Sequence, residues 1–132
     1  SRLPSELLAD EQATGKAKDL YEEIRDRFGM VPNLFRAQAA ADTEWLELTW
    51  QRWKSIMGRE REMIRKTKEM IALAVSLVND CAYCKGAHSQ MAKMAGASDM
   101  ELTELREVVE LFASFNAIAD SLDVPLDEEL AD

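Results

Sequence analysis

Apolar residues recur along most of this chain at spacings of three and four, the mark of helices that bury one side. Ala17, Leu20, Tyr21, Ile24 and Phe28 follow that rhythm, predicting a first helix from an N-cap at Thr14 to Phe28, with Gly29 as its stop. Pro32 opens a short second helix through about Ala39. Asp42 is the expected N-cap of a third, ending near Gly58. There Leu46, Trp50, Trp53 and Met57 form one apolar stripe, and Trp45, Leu48 and Ile56 thicken it. A helix so apolar is expected to be buried on more than one side or to meet another subunit. A fourth helix is expected from about Glu60 to Val78, charged in its first half and apolar from Met70 onward except at Ser76. That second half reads as a central core helix. Asn79 and Asp80 break it, and Asp80 is placed to cap a fifth helix that begins at Cys81 and ends at Gly96. Ser98 or Asp99 caps the last helix, with Leu102, Leu105, Val109, Phe112, Phe115 and Leu122 on its buried face. The acidic tail after Pro125 is expected to be loose.

The pattern contains no run of alternating strand-like positions, so the fold class is all-α, a helical bundle of about six helices. At 132 residues, the expectation is a single domain spanning 1–132. Scarce glycine (5) and proline (3) agree with that reading. The formal net charge of -9 argues against nucleic acid or an anionic membrane as partner. The charge is uneven. Lys54, Arg59, Arg61, Arg65, Lys66 and Lys68 cluster in the middle, whereas Arg106 is the sole basic residue from Asp99 onward. Solvated helix faces account for this; a head-to-tail charge match between subunits is the sharper alternative. No apolar stretch reaches membrane-spanning length and no signal-peptide pattern opens the chain. A first residue of Ser1 rather than methionine suggests trimming or a disordered leader.

The chemistry concentrates in one place. Both cysteines and the single histidine lie in Cys81-Ala-Tyr-Cys84-Lys-Gly-Ala-His88. Two cysteines do not make a secreted disulfide framework, and a C-x-x-C without an export signal fits a cycling dithiol in a reducing cytoplasm. On a helix turning about 100° per residue, Cys81, Cys84, His88, Met91 and Ala95 share an arc of roughly 80°. Cα atoms three apart on a helix stand about 5 Å apart, within disulfide reach. The first turn of a helix favours thiolate. His88, one turn beyond Cys84, is a candidate base for it. Asp80 opposes thiolate formation. A zinc site is weaker, because Cys-Cys-His lacks a second ligand pair and one helix closes a tetrahedron awkwardly. Tyr83 is expected to point away from this face, and Met91 and Met94 to be core. Glu69 alone looks like a solvated, salt-bridged glutamate; only its place at the entrance to the apolar half-helix hints at partial burial.

Taken together, Glu69-Met-Ile-Ala-Leu-Ala-Val-Ser and Asn79-Asp-Cys81-Ala-Tyr-Cys84-Lys-Gly-Ala-His88 resemble the core of the alkylhydroperoxidase D-like family, within the carboxymuconolactone decarboxylase superfamily. The resemblance is close from about Ile64 to Gly96, and Gly29-Met-Val-Pro-Asn33-Leu-Phe resembles a stretch of peroxidase-related members. It implies an all-helical fold, a homo-oligomer (trimer or hexamer), and reduction of organic hydroperoxides through a dithiol–disulfide cycle. By motif position Cys84 would attack, Cys81 would resolve, His88 would help deprotonate Cys84 and Glu69 would orient the histidine. No bound cofactor or metal is implied; an external dithiol, such as a lipoamide-type reductant, would regenerate the pair. Three other readings use the same residues differently: a disulfide reductase or thiol carrier for a peroxiredoxin partner, a decarboxylase or lactone-processing enzyme, and a redox sensor or assembly module.

Overall fold

The computed structural model describes residues 6–131; Ser1 and the last residue of the tail lie outside them. Among the described residues the regular elements are helical. They are α1 (Gly15–Phe28), α2 (Asn33–Ala41), α3 (Thr43–Ile56), α4 (Arg65–Val78), α5 (Ala82–Met94) and α6 (Asp99–Ser121), with short 3-10 turns at Asp10–Gln12 and Glu128–Leu130. None is long and apolar enough to cross a membrane. The chain divides into two compact units, one ending at Arg59 and the other beginning at Glu60.

The first unit packs α1, α2 and α3 around Ile24, Leu46 and Trp50, all fully buried, with Tyr21, Val31 and Phe35 beside them. Trp50 stacks on Trp53 with ring centroids 5.1 Å apart, and Phe28 closes on Trp53 at 4.8 Å. Of the expected stripe on α3, Leu46 and Trp50 are core and Trp53 packs against them, while Met57 is half-buried. The residues expected to thicken it are not core, since Trp45, Leu48 and Ile56 are exposed. Gly29 ends α1 in the left-handed region at φ 76°, where a Cβ would be strained. Asp42 caps α3 as expected, accepting the Glu44 N–H at 3.0 Å.

In the second unit α4 lies against both α5 and α6. Leu73, Ala92 and Leu102 form its centre, with Ala97 and Leu105 around them. The start of α4 is five residues later than the charge pattern suggested. Ile64 takes the N-cap position, and Glu60 accepts the backbone N–H of Arg65 at 3.3 Å. The expectation of a helix buried all round also needs correcting. α4 buries Lys68, Glu69, Leu73 and Ser76 on one face, while Ile71, Val75 and Val78 remain exposed.

α6 differs in the same way. Ser98 caps it through a capping box with Glu101, both hydrogen bonds being 3.0 Å. Its first half buries Leu102 and Leu105, and Val109 packs on the same core. Beyond Val109 the expected buried face is open: Phe112, Phe115 and Leu122 are 53%, 51% and 70% exposed. At 1.5 Å per residue α6 is about 34 Å long and α4 about 21 Å, so α6 outruns the helix it packs against.

The link between α4 and α5 is the tightest feature of this unit. Asp80 sits in the left-handed region at φ 52°. Its N–H donates to the Leu77 carbonyl at 3.3 Å, and the Cys81 N–H reaches back to the Ser76 carbonyl at 3.1 Å. That pair of bonds is a Schellman closure of α4 with aspartate at the position glycine usually holds. Asp80 therefore does not cap α5, as expected from sequence; Cys81 does. Because a β-branched residue is costly in the left-handed region, Asp80→Val should lower stability by about 1–2 kcal/mol. Asp80→Gly should change it by under about 1 kcal/mol. Urea unfolding of the two variants checks this, and equal losses would contradict it.

Candidate active site

Cys81 ends one helix and begins the next. Its backbone closes α4, and its sulfur, at the N-cap of α5, accepts the Cys84 backbone N–H at 3.4 Å. This is the place a serine or aspartate oxygen normally takes, and sulfur as a thiolate is a far better acceptor there than as a thiol. The Cys84 thiol also donates to Cys81. That bond is the main cause pulling the Cys81 thiol below its ordinary range, followed by the Cys84 backbone N–H and, after the opposing effect of burial, the Lys85 ammonium. The same bond is the main cause pushing Cys84 up, joined by burial and by repulsion from Cys81. Sequence spacing gave Cys84 a candidate base in His88 but, with Asp80 opposing the charge, left the balance between the two thiols open. In the fold Cys81 lies below its ordinary range and Cys84 above it, because the Cys84 thiol donates to Cys81 at the helix terminus. Both cysteines are free and half-buried. Lys85 is also paired with Asp80 at 2.7 Å.

Glu69 comes to this region from α4, on the same face as Leu73 and Ser76. The sequence left it as a solvated glutamate; it is instead fully buried, at 0% exposure. Two nitrogen-bearing side chains meet it. Arg65, one turn earlier, donates through Nε to Oε1 at 3.1 Å. His88, from α5, places Nδ1 3.5 Å from Oε2. Those two atoms are buried, and neither makes a hydrogen bond of standard geometry among the described residues. At 3.5 Å they stand at the outer limit of hydrogen-bond distance. Burial by itself would raise the Glu69 carboxyl. The neighbouring His88 and Arg65 side chains outweigh it, so the carboxyl lies below its ordinary 4.5.

With Nδ1 turned to the carboxylate, His88 has Nε2 for exchanging a proton with other groups. The structure thus brings Glu69 to His88 across α4 and α5, and Cys81 to Cys84 at the start of α5. Tyr83 is exposed, in line with its expected outward direction. Met94 is 78% exposed and is not core, contrary to expectation, because the helix buries Ala92 instead. Sequence reading missed Arg65, which it counted among a basic cluster. An arginine four residues before a glutamate at the mouth of an apolar half-helix was the available signal. Among the described residues, no group of three His, Cys, Asp or Glu side chains is arranged to hold a metal ion.

Residues 39–127 match the model of the carboxymuconolactone decarboxylase family. The crystal structure of the alkylhydroperoxidase AhpD core from Rhodospirillum rubrum is 31% identical in sequence to this chain. The two superpose with a TM-score of 0.91, covering 100% of each. No match was found among curated proteins. The chain belongs to the carboxymuconolactone decarboxylase family. Within it, the chain has the all-α fold of the alkylhydroperoxidase D-like members. At the level of the family, this fold points to alkylhydroperoxidase-type, peroxidase-related activity.

The opposite shifts of the two thiols have a direct readout. Alkylation of the fully reduced protein at rising pH, followed by peptide mass mapping, should label Cys81 at lower pH than Cys84. The opposite order would contradict the helix-terminus assignment.

Proposed function

We propose that this protein reduces organic hydroperoxides with the Cys81/Cys84 dithiol, using Glu69 and His88 as a proton relay. The observation that carries the reading is the meeting of Glu69 and His88 at 3.5 Å, with His88 one helical turn beyond Cys84. Cys84 sits at rest as a thiol raised by its neighbour, so it needs a base when peroxide arrives, and His88 is the base at hand. In this reading His88 takes the Cys84 proton, directly or through a water, while Glu69 stabilises the imidazolium. The Cys84 sulfur then attacks the terminal peroxide oxygen. The O–O bond breaks, the sulfur becomes a sulfenic acid, and the alkoxide leaves as alcohol with the proton that His88 holds. Cys81 attacks that sulfenic sulfur, forming the disulfide and releasing water. An external dithiol restores the pair by exchange and leaves as its own disulfide. The balance is one hydroperoxide and one external dithiol consumed for one alcohol, one water and one disulfide.

A second ordering has an observation in its favour. The depressed Cys81 thiol at the helix terminus suits thiol–disulfide exchange. That would serve a disulfide reductase or carrier acting on a peroxiredoxin-like partner. Either role fits a reducing compartment such as the cytoplasm.

Hydroperoxide consumption by the reduced protein, with dihydrolipoamide as reductant, tests the cycle. Cys84→Ser and Cys81→Ser should each abolish turnover, and Cys81→Ser should accumulate a sulfenic acid on Cys84. His88→Ala should lower kcat by about 10²–10⁴-fold. A sulfenic acid that forms on Cys81 in Cys84→Ser would move the attack to Cys81. Activity that survives loss of both thiols would point instead to decarboxylase-type or lactone-processing chemistry.

The partner we propose for the exposed apolar row of α6 is further copies of this chain, in a trimer or hexamer. Sedimentation should then give three or six times the 14.9 kDa chain mass, and Phe115→Glu should lower it. A monomer at micromolar concentration would contradict this assembly.

A further inference from the structure

A fully buried carboxylate requires one full positive charge nearby, because the cost of isolating the anion exceeds what neutral hydrogen bonds return. Glu69 has two candidates for that charge, one on each oxygen: Arg65 Nε at 3.1 Å from Oε1 and His88 Nδ1 at 3.5 Å from Oε2. They are not equivalent. A guanidinium is charged at every working pH, whereas an imidazole is charged only when it has already taken a proton. If His88 had to balance Glu69, it would sit as imidazolium and could not act as a base. The Arg65 contact is also the better formed of the two. It meets hydrogen-bond geometry, while the atoms facing each other on the His88 side do not.

We propose that Arg65 is the permanent counter-ion of Glu69, and that by holding Oε1 it relieves His88 of that role, so that the imidazole can accept the thiol proton. This makes Arg65 a positioning residue that acts through Glu69 and His88, and it rests on the dithiol reading above. The surrounding groups are consistent with this division of charge. On α4, Lys66 is engaged by Glu101 of α6 at 2.9 Å, and Lys68 is buried further along the helix. On α5, Lys85 is held by Asp80 at 2.7 Å, and Cys81 and Cys84 bond each other. On α6, Arg106 reaches Ser89 at 3.5 Å. Of the two side chains that act on the Glu69 carboxylate, His88 and Arg65, only Arg65 carries a charge that does not depend on protonation.

The protein has one histidine, so the imidazole signals of an NMR pH titration belong to His88 alone. In Arg65→Gln the midpoint of that titration should move to higher pH by about one unit relative to the unsubstituted protein. Arg65→Lys, which restores the charge, should return it most of the way. The acid limb of the turnover profile should move with it, lowering kcat near neutral pH by about tenfold with KM for the hydroperoxide unchanged. A midpoint that is the same in all three proteins overturns the proposal. The Arg65 side chain is 37% exposed, so replacing it leaves no sealed cavity, and Arg65→Met provides a second charge-free variant with the same expectation. Failure of both charge-free variants to fold would reassign Arg65 to stability and also overturn it. The titration needs no turnover. A shifted midpoint in a protein that consumes no hydroperoxide would keep the counter-ion and remove the peroxidase reading.

Discussion

A carboxylate with no exposed surface must find its counter-charge inside the protein, and Glu69 is such a carboxylate. An ionised group taken out of water costs several kcal/mol unless it is matched. That demand ties Arg65 to the first turn of α4 and draws His88 of α5 against the same helix. Leu73 and Ala92 supply the apolar packing that holds the two helices together, and α6 covers the remaining side with Leu102 and Leu105. The ionised state is also conditional on pH. The folded carboxyl lies below its ordinary value, so its contribution is complete above about 4.5 and is lost as pH falls through the folded value.

The second constraint is the turn. A Schellman closure at Asp80 fixes Cys81 as both the last partner of α4 and the first residue of the α5 cap. No flexible segment separates the helix carrying Glu69 from the cysteine pair. The helix terminus then divides the two thiols. The hydrogen bond from the Cys84 thiol, the backbone N–H groups and Lys85 pull the Cys81 thiol below its ordinary range, and the same thiol contact pushes Cys84 up.

Much of this was legible in the chain. The three-and-four spacing located six helices, since one buried side per helix is imposed by packing and survives in any assembly. The C-x-x-C and His88 spacing singled out one candidate segment, because residues on one helix keep their relations whatever surrounds them. Periodicity and spacing did not carry relations between helices; the pairing of Glu69 with His88 came only as an implication of the family resemblance. Burial of Glu69 depends on α5 lying over it, and the pairing of Arg65 follows from that burial. The left-handed Asp80 was hidden because aspartate is also a good N-cap, and the sequence alone favoured that use. The open faces of α3, α4 and α6 were read as core, because periodicity records that a surface is apolar and not which chain covers it.

The central claim is that the two cysteines act as one two-electron unit toward hydroperoxides. The most direct test is a single-turnover experiment. The fully reduced protein is mixed with one equivalent of an organic hydroperoxide and no reductant, and free thiols, alcohol product and cross-links are counted. The account gives two thiols lost for each alcohol formed, with a Cys81–Cys84 disulfide in the peptide map. Thiols that remain titratable after the hydroperoxide has been consumed, or hydroperoxide left intact beside a reduced pair, would contradict it.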